Sequence, residues 1–192
     1  MRKARCFVTP SAIVPSPFAK VAHSSVLYST HLCAAMLYLL PPIAGAALLL
    51  KFARSGALFA ALCLPATIAH ELLHFVVGHL VWARPTRLSI FPHRSPNGVY
   101  VYGMVAFENV RWWNAAPAAL APLLSLPIAA ASALWRTRTL ATLEASDIAI
   151  WFGLAQLLVG AWPSPTDLRL AGRSWPLLAI VGISASAYFA LH

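Results

Sequence analysis

The stretch TIAHELLHFVVGHLVW, Thr67–Trp82, decides how this sequence is interpreted. It is apolar almost throughout, yet it contains three histidines and one glutamate. A long apolar run is typical of a membrane-spanning helix, where ionisable groups are costly and by default functional. We therefore expect the polar groups of this stretch to serve a function inside the membrane.

Three of these groups, His70, Glu71 and His74, form the pattern HELLH. Residues four apart lie on one face of a helix, so both imidazoles can bind one Zn²⁺ from the same side. Glu71 is turned about 100° from His70 and can take a proton from a metal-held water without being a ligand. This is the H-E-x-x-H arrangement of metal-dependent peptidases. The alternative is a hydrogen-bonded polar cluster inside a helix bundle. His79 lies about 140° round the helix from His74, off the ligand face, and is expected to be interfacial or structural.

The composition points to an integral membrane protein. Of the 192 residues 60% are hydrophobic and only 10% are charged, against about 25% charged in a soluble domain. The formal charge of +9 comes from 14 Lys and Arg against five acids. These basic residues stand between apolar runs, where they orient a chain in a membrane, and we expect no nucleic-acid partner. Three separated cysteines without a CxxC pair predict neither a disulfide framework nor a thiolate zinc site.

Five apolar segments predict an all-α polytopic membrane protein, a bundle of about five transmembrane helices. Residues 1–30 are expected to form an uncleaved cytosolic or membrane-surface segment, and residues 31–192 a single transmembrane domain. Pro41-Pro42 predicts a kink in the first helix, and Pro163 with Pro165 ends the fourth. The segments are Leu32–Leu50, Ala57–Ala83, Trp112–Trp135, Ser146–Trp162 and Trp175–Leu191.

The distribution of basic residues predicts the orientation. With five alternating crossings, the side of the N-terminus carries ten Lys and Arg residues and the other side four. This bias favours a cytosolic N-terminus. A bacterial inner membrane is the expected location. The ten are Arg2, Lys3, Arg5, Lys20, Arg84, Arg87, Arg94, Arg111, Arg169 and Arg173, and the four are Lys51, Arg54, Arg136 and Arg138.

The connection after the HELLH helix differs from the others. Residues 87–109 are rich in Val, Tyr and Phe, with Asn97-Gly98 in the middle. Asn-Gly between extended runs is a strong signal for a tight turn, and it predicts a small β-hairpin of Leu88–Phe91 with Val99–Phe107. The alternative is a folded-back loop without a chemical role.

A catalytic zinc normally has three protein ligands, so one ligand is missing from HELLH. Glu108 ends the predicted hairpin, whereas Glu144 and Asp147 fall on the opposite side of the predicted bundle. Asp167, in WPSPTDLRLAG, falls on the side of His70, and it follows prolines that interrupt the helix. Asp167 is therefore the favoured third ligand. The alternative for Asp167 is a helix N-cap or a surface charge beside Arg169.

A membrane-embedded HExxH, a following hairpin, a central helix and a later aspartate in a proline-containing turn together resemble the site-2 protease family of intramembrane zinc metalloproteases. The resemblance covers about residues 56–170. It implies His70, His74 and Asp167 as zinc ligands and Glu71 as the general base. The family's third-ligand motif reads Asn-x-x-Pro followed by Leu-Asp-Gly. Here no such asparagine precedes Asp167, and Leu168 follows it.

The stretch RWWNAAPAALAPLL is similar to the Gly/Asn-containing central stretch of that family, which makes Asn114 a candidate for positioning substrate or an oxyanion. The alternative for Asn114 is capping of the helix near Arg111. The loops are too short for a PDZ-like domain. The implied function is zinc-dependent hydrolysis of membrane-protein or peptide substrates. The alternatives are an inactive zinc-binding membrane scaffold and a transporter of metal or small solutes.

Overall fold

The computed structural model describes residues 30–51, 57–91, 93–94, 100–101, 103–139 and 142–191. These residues are mostly helical, with short antiparallel strands after the HELLH helix, so the predicted fold class is confirmed in its coarse form. All but the last residue of the expected N-terminal segment 1–30 lies outside the described ranges. The α-helices are α1 (Thr30–Lys51), α2 (Ala57–Leu62), α3 (Leu64–Leu80), α4 (Ala115–Ala119), α5 (Ser125–Thr139), α6 (Ser146–Gly160), α7 (Pro165–Ala171) and α8 (Trp175–Leu191), and two 3-10 turns are Ala121–Leu124 and Gly172–Ser174.

Only two helices in the described ranges are long and apolar enough to cross a membrane. One is α1, and the other is the run Pro165–Leu191, in which α7 and α8 follow one another through a 3-10 turn. The prediction of about five crossing helices is therefore wrong. Apolar composition alone does not show where a helix is interrupted.

Prolines explain the shorter helices, because proline lacks the backbone donor and clashes with the preceding turn. The segment Ala57–Ala83 divides at Cys63, two residues before Pro65, into α2 and α3. The segment Trp112–Trp135 divides into α4, a 3-10 turn that contains Pro122, and α5. Apolar segments that look continuous in sequence are thus built from shorter helices.

The irregularity predicted at Pro41-Pro42 lies just before these prolines. The N–H of Leu39 donates to the carbonyls of both Ala35 (3.1 Å) and Met36 (3.2 Å), and regular helix resumes at Leu40.

The fourth segment behaves as predicted, since α6 ends at Gly160 before Pro163.

The connection after α3 contains two antiparallel strand pairs. The strand β1 (Pro85–Ser89) pairs with β4 (Met104–Phe107), with Leu88 opposite Val105 and an irregularity between Pro85 and Arg87. The short strands β2 (His93–Arg94) and β3 (Tyr100–Val101) pair next to them. The predicted hairpin is confirmed, although its first strand begins earlier than predicted. The expected turn at Asn97-Gly98 lies outside the described residues.

Helix α6 packs against both α1 and α3, and small residues form much of the interior. Ala35 of α1 and Ala129 and Ala133 of α5 are buried in one cluster with Leu154 of α6. Small residues allow helices to approach closely, as is common in membrane proteins. Helix α8, in contrast, has no buried residue and exposes large apolar side chains. Exposed apolar side chains along a whole helix suit contact with lipid or with another apolar surface.

A buried ion pair ties three helices together. Arg136 Nη2 of α5 donates to Asp147 Oδ2 of α6 at 2.6 Å, and the Tyr38 hydroxyl of α1 donates to Asp147 Oδ1 at 2.5 Å. Asp147 is fully buried. The backbone N–H of Glu144 also donates to Asp147 Oδ2, at 2.6 Å. Asp147 therefore has a structural role in joining α1, α5 and α6.

Candidate metal centre

The two histidines of HELLH face one another on α3. Their Nε2 atoms are 3.1 Å apart, as expected for side chains one helical turn apart. His74 is buried and His70 is partly buried. Helix α3 starts with Leu64-Pro65, and proline is tolerated in a first turn because the N–H groups there have no helical acceptor. The regular helix that follows sets the spacing of both rings.

Asp167 reaches these rings from α7. Its Oδ1 lies 3.3 Å from His74 Nε2, and its Oδ2 lies 3.5 Å from His70 Nε2. Asp167 also forms a capping box with Ser164, the N-cap residue three positions before it. The Ser164 N–H donates to Oδ2 at 2.7 Å, and the Asp167 N–H donates to Ser164 Oγ at 3.2 Å. Asp167 therefore has both the predicted position beside the histidines and the alternative helix-capping role. The capping hydrogen bond from the Ser164 N–H holds the carboxylate towards the two rings.

The two imidazoles and the carboxylate lie close enough to share one metal ion. Zinc–nitrogen and zinc–oxygen bonds of about 2.0–2.1 Å place neighbouring tetrahedral ligands about 3.3 Å apart. The two Nε2 atoms are 3.1 Å apart, and each lies 3.3 or 3.5 Å from a different oxygen of Asp167, so the carboxylate faces both rings. In the described residues, His70, His74 and Asp167 form a group of side chains that could hold one metal ion.

The hydrogen bond on the far side of each imidazole selects the tautomer of its neutral ring. His70 Nδ1 lies 2.7 Å from the Gly160 carbonyl, and His74 Nδ1 lies 2.8 Å from the Ala118 carbonyl. A carbonyl can only accept, so each Nδ1 carries the proton and each Nε2 of a neutral ring offers a lone pair. Two lone pairs and a carboxylate then converge on one point and would repel one another. A cation at that point relieves the repulsion, and backbone carbonyls behind metal-binding imidazoles are the usual outer partners.

Glu71 lies next to this point and is buried. None of the hydrogen bonds or ion pairs of the described residues involves its carboxyl group. Gly103, just before β4, packs directly on it, since a Cβ atom at Gly103 would stand 2.8 Å from Glu71 Cδ. The absence of a side chain at position 103 therefore leaves the space that the Glu71 carboxyl group occupies.

A cavity of about 720 Å³ opens onto all four polar residues. Its volume lies within the usual range of ligand pockets. Residues of α3, β4 and α7 line it, and Phe59, Val105 and Leu170 make part of the wall apolar. The arrangement can hold an ion, a water molecule and an extended apolar chain in one compartment.

One feature of the site was not predicted from the sequence, the close contact between α3 and α6. A Cβ atom at Gly160 would lie 2.7 Å from the Ala66 carbonyl oxygen. Gln156, one turn earlier on α6, accepts a hydrogen bond from the Ala66 N–H at 3.3 Å. A glycine and a glutamine in an otherwise apolar helix are the signals that could have indicated this contact.

Asn114 does not line the cavity. It is fully buried, and its amide binds backbone groups around the end of α3 and the start of α4. Oδ1 accepts from the Arg111 N–H at 2.6 Å, and Nδ2 donates to the carbonyls of Asn109 (2.9 Å) and Val81 (3.3 Å). The Asn114 side chain makes no capping hydrogen bond to α4, so it joins the turn after α3 to the loop before α4 and fits neither the capping alternative nor a position beside a substrate.

The remaining candidates lie away from the centre. His79 is exposed, and its Nδ1 contacts the carbonyl of Phe75 on its own helix. Glu108 and Glu144 are exposed, and Asp147 is paired with Arg136. Of the acids considered from the sequence, Asp167 is the one that the described structure brings to the two histidines.

No protein-family model, no curated protein and no solved structure matches this chain.

Proposed function

We propose that this protein is a zinc-dependent intramembrane endopeptidase that hydrolyses peptide bonds of membrane-associated substrates. The supporting observation is the convergence of His70, His74 and Asp167, whose ligand atoms lie within 4.8 Å of one another, with the buried Glu71 carboxyl group beside them in one cavity. Two imidazole nitrogens and a carboxylate oxygen are a set of donor atoms that suits Zn²⁺. The proposal extends the resemblance to the site-2 protease family.

In this mechanism His70, His74 and Asp167 would hold the ion. When bound, Zn²⁺ supplies a Lewis acid that acidifies a water molecule and polarises the scissile carbonyl. Glu71 accepts the proton from the attacking water and delivers it to the leaving amine. The Gly160 and Ala118 carbonyls keep both rings in the tautomer that leaves Nε2 free. The apolar wall limits the access of bulk water.

The strand β4 is the proposed docking edge for substrate. A helical peptide has its carbonyls bonded internally, so a bond can be cut only in a locally extended segment. Met104 and Val105 of β4 line the cavity, and within the described residues β4 pairs on one side only, with β1. An extended substrate segment could add to its free edge by backbone hydrogen bonds. Proline in β4 at a residue whose N–H points away from β1 should slow cleavage without loss of zinc.

The membrane setting is also part of the proposal. Two apolar helices of sufficient length and the exposed apolar surface of α8 support an integral membrane location. The count of basic residues that predicted a cytosolic N-terminus assumed five crossings, so with two crossing helices the proposal includes no orientation.

The test is cleavage of a single-span model substrate by protein reconstituted in liposomes, compared with Glu71→Gln. Removal of a general base typically costs about 10²–10⁴-fold in rate. We expect Glu71→Gln to lose cleavage by this amount and to retain zinc. Equal cleavage by both proteins would overturn the proposal. A wild type that holds zinc but cuts none of a panel of membrane-protein segments would favour the inactive scaffold instead.

A further inference from the structure

The turn between α3 and β1 has an unusual backbone. Trp82 (φ 60°) and Arg84 (φ 50°) are the non-glycine residues with positive φ in the part of the chain that the structure describes. Bulky residues avoid this region because the Cβ atom crowds the backbone, and such strain tends to persist at functional sites. Two such residues within one turn call for a physical cause.

Two asparagines hold this turn in place. Asn114 Nδ2 donates to the Val81 carbonyl at 3.3 Å, and Asn109 Nδ2 donates to the Trp82 carbonyl at 2.8 Å. The Asn109 N–H also donates to the Ala83 carbonyl at 3.0 Å. The conformation is therefore fixed from outside the turn, by residues of the loop that precedes α4.

The same hydrogen bonds bring a second arginine to the turn. Asn109 Oδ1 accepts from Arg111 Nε at 3.1 Å, so one side-chain amide bridges the Trp82 backbone and the Arg111 guanidinium. Arg84 and Arg111 are exposed, and neither forms an ion pair within the described residues. The neighbouring acid, Glu108, is exposed and likewise forms none there.

The turn also presents an aromatic side chain and a small cavity. The Trp82 side chain is 71% exposed, and Trp112, next to Arg111, is exposed as well. A cavity of about 310 Å³ is lined by His79, Trp82, Arg84 and Pro85. Tryptophan prefers the boundary between hydrocarbon and water, and arginine binds phosphate through paired hydrogen bonds. A phospholipid at the membrane surface offers a partner to each of them, a phosphate group to arginine and the boundary with the hydrocarbon to tryptophan.

We propose that the Trp82–Arg84 turn, together with Arg111, is a binding site for the headgroup of an anionic phospholipid. The guanidinium groups bind the phosphate, and the indole of Trp82 lies at the level of the glycerol backbone. Helix α3 ends at Leu80, ten residues beyond His70, or about 15 Å at 1.5 Å per residue. This is about half the thickness of a hydrocarbon core. A headgroup fixed at the turn would thus set the depth of the HELLH motif, whether or not the motif is catalytic.

The experiment counts bound lipids on the detergent-solubilised full chain by native mass spectrometry. Phosphatidylglycerol and phosphatidylcholine of equal chain length are titrated in parallel, with inorganic phosphate as a third arm. The variants are Arg84→Gln, Arg111→Gln, their combination, and the charge-preserving pair Arg84→Lys with Arg111→Lys. The control is Lys51→Gln, which removes one exposed charge at the end of α1.

Each basic group near an anionic headgroup strengthens binding by about fivefold. We expect phosphatidylglycerol to bind wild type and Lys51→Gln in preference to phosphatidylcholine. The double glutamine variant should bind it about 25-fold more weakly, and the double lysine variant should recover most of the loss. Equal binding of both lipids by wild type would overturn the site. A double glutamine variant that binds phosphatidylglycerol as tightly as Lys51→Gln does would also overturn it. So would inorganic phosphate that displaces phosphatidylglycerol when both are present at the same concentration.

Discussion

His70 Nδ1 and the carbonyl oxygen of Gly160 lie 2.7 Å apart, although ninety residues separate them in the sequence. The contact is possible because α3 and α6 touch at this point, where a Cβ atom on residue 160 would lie 2.7 Å from the Ala66 carbonyl oxygen. The packing of two helices thereby determines which nitrogen of His70 is free for a metal.

Gly160→Ala tests this relationship. The added methyl group must push α6 away from α3 and so lengthen or break the bond to His70 Nδ1. Loss of an outer partner of a metal-binding histidine typically lowers metal affinity about 10–100-fold. We expect a decrease of this size in zinc affinity, measured by competition with a chelator of known affinity. Gly153→Ala on the same helix is the control, because its Cβ would meet nothing within 4 Å. An equal zinc affinity in both variants would rule out the proposed role of the contact.

Gly103→Ala tests the position of Glu71. A Cβ atom there would overlap the Glu71 carboxyl group, so the carboxylate should turn away while the three zinc ligands stay in place. We expect cleavage to fall by about 10²-fold or more, as for impaired general base catalysis, and zinc content to remain unchanged. Gly182→Ala on α8, where a Cβ meets nothing within 4 Å, should leave both quantities unchanged. Full activity in Gly103→Ala would argue against Glu71 as the base.

Asp147→Asn tests the buried ion pair. Removal of one partner leaves the charge of Arg136 buried without its carboxylate, which typically costs about 3–5 kcal/mol. We expect a large decrease in the midpoint of thermal unfolding in detergent. The double replacement Arg136→Met with Asp147→Leu should regain much of that loss, because no unpaired charge remains buried. Glu144→Gln, at an exposed acid nearby, is the control. A double variant no more stable than Asp147→Asn would contradict this account.

The local part of the site could be predicted from the sequence, and the long-range part could not. The four-residue spacing of His70 and His74 fixes their relation on any regular helix. The hairpin could also be predicted, because alternating β-prone residues around Asn-Gly are a local signal. The backbone carbonyls of Gly160 and Ala118 could not be, since any residue supplies a carbonyl and only the packing of helices selects which one contacts a ring.

Helix length and the role of Asn114 show the same limit. Apolar composition does not distinguish a crossing helix from shorter helices interrupted by prolines, and therefore five crossings were predicted where two helices of sufficient length are found. The surroundings of Asn114 in the sequence do not indicate its long-range partner. Val81, whose carbonyl accepts from Asn114, lies 33 residues away at the opposite end of the hairpin connection, and the two meet only in the folded chain.

The most direct test of the central claim is the zinc content of purified protein, measured by mass spectrometry of the metal for wild type, His74→Ala and Asp167→Ala. Two controls separate ligand loss from other effects. His79→Ala removes a histidine off the ligand face. Ser164→Ala removes the hydroxyl group of the capping box but retains the backbone N–H that donates to Asp167 Oδ2 and holds the carboxylate. The account predicts about one zinc per chain in wild type and in both controls, and little in His74→Ala and Asp167→Ala. Wild type without zinc after purification in its presence, or Asp167→Ala with a full equivalent, would contradict it.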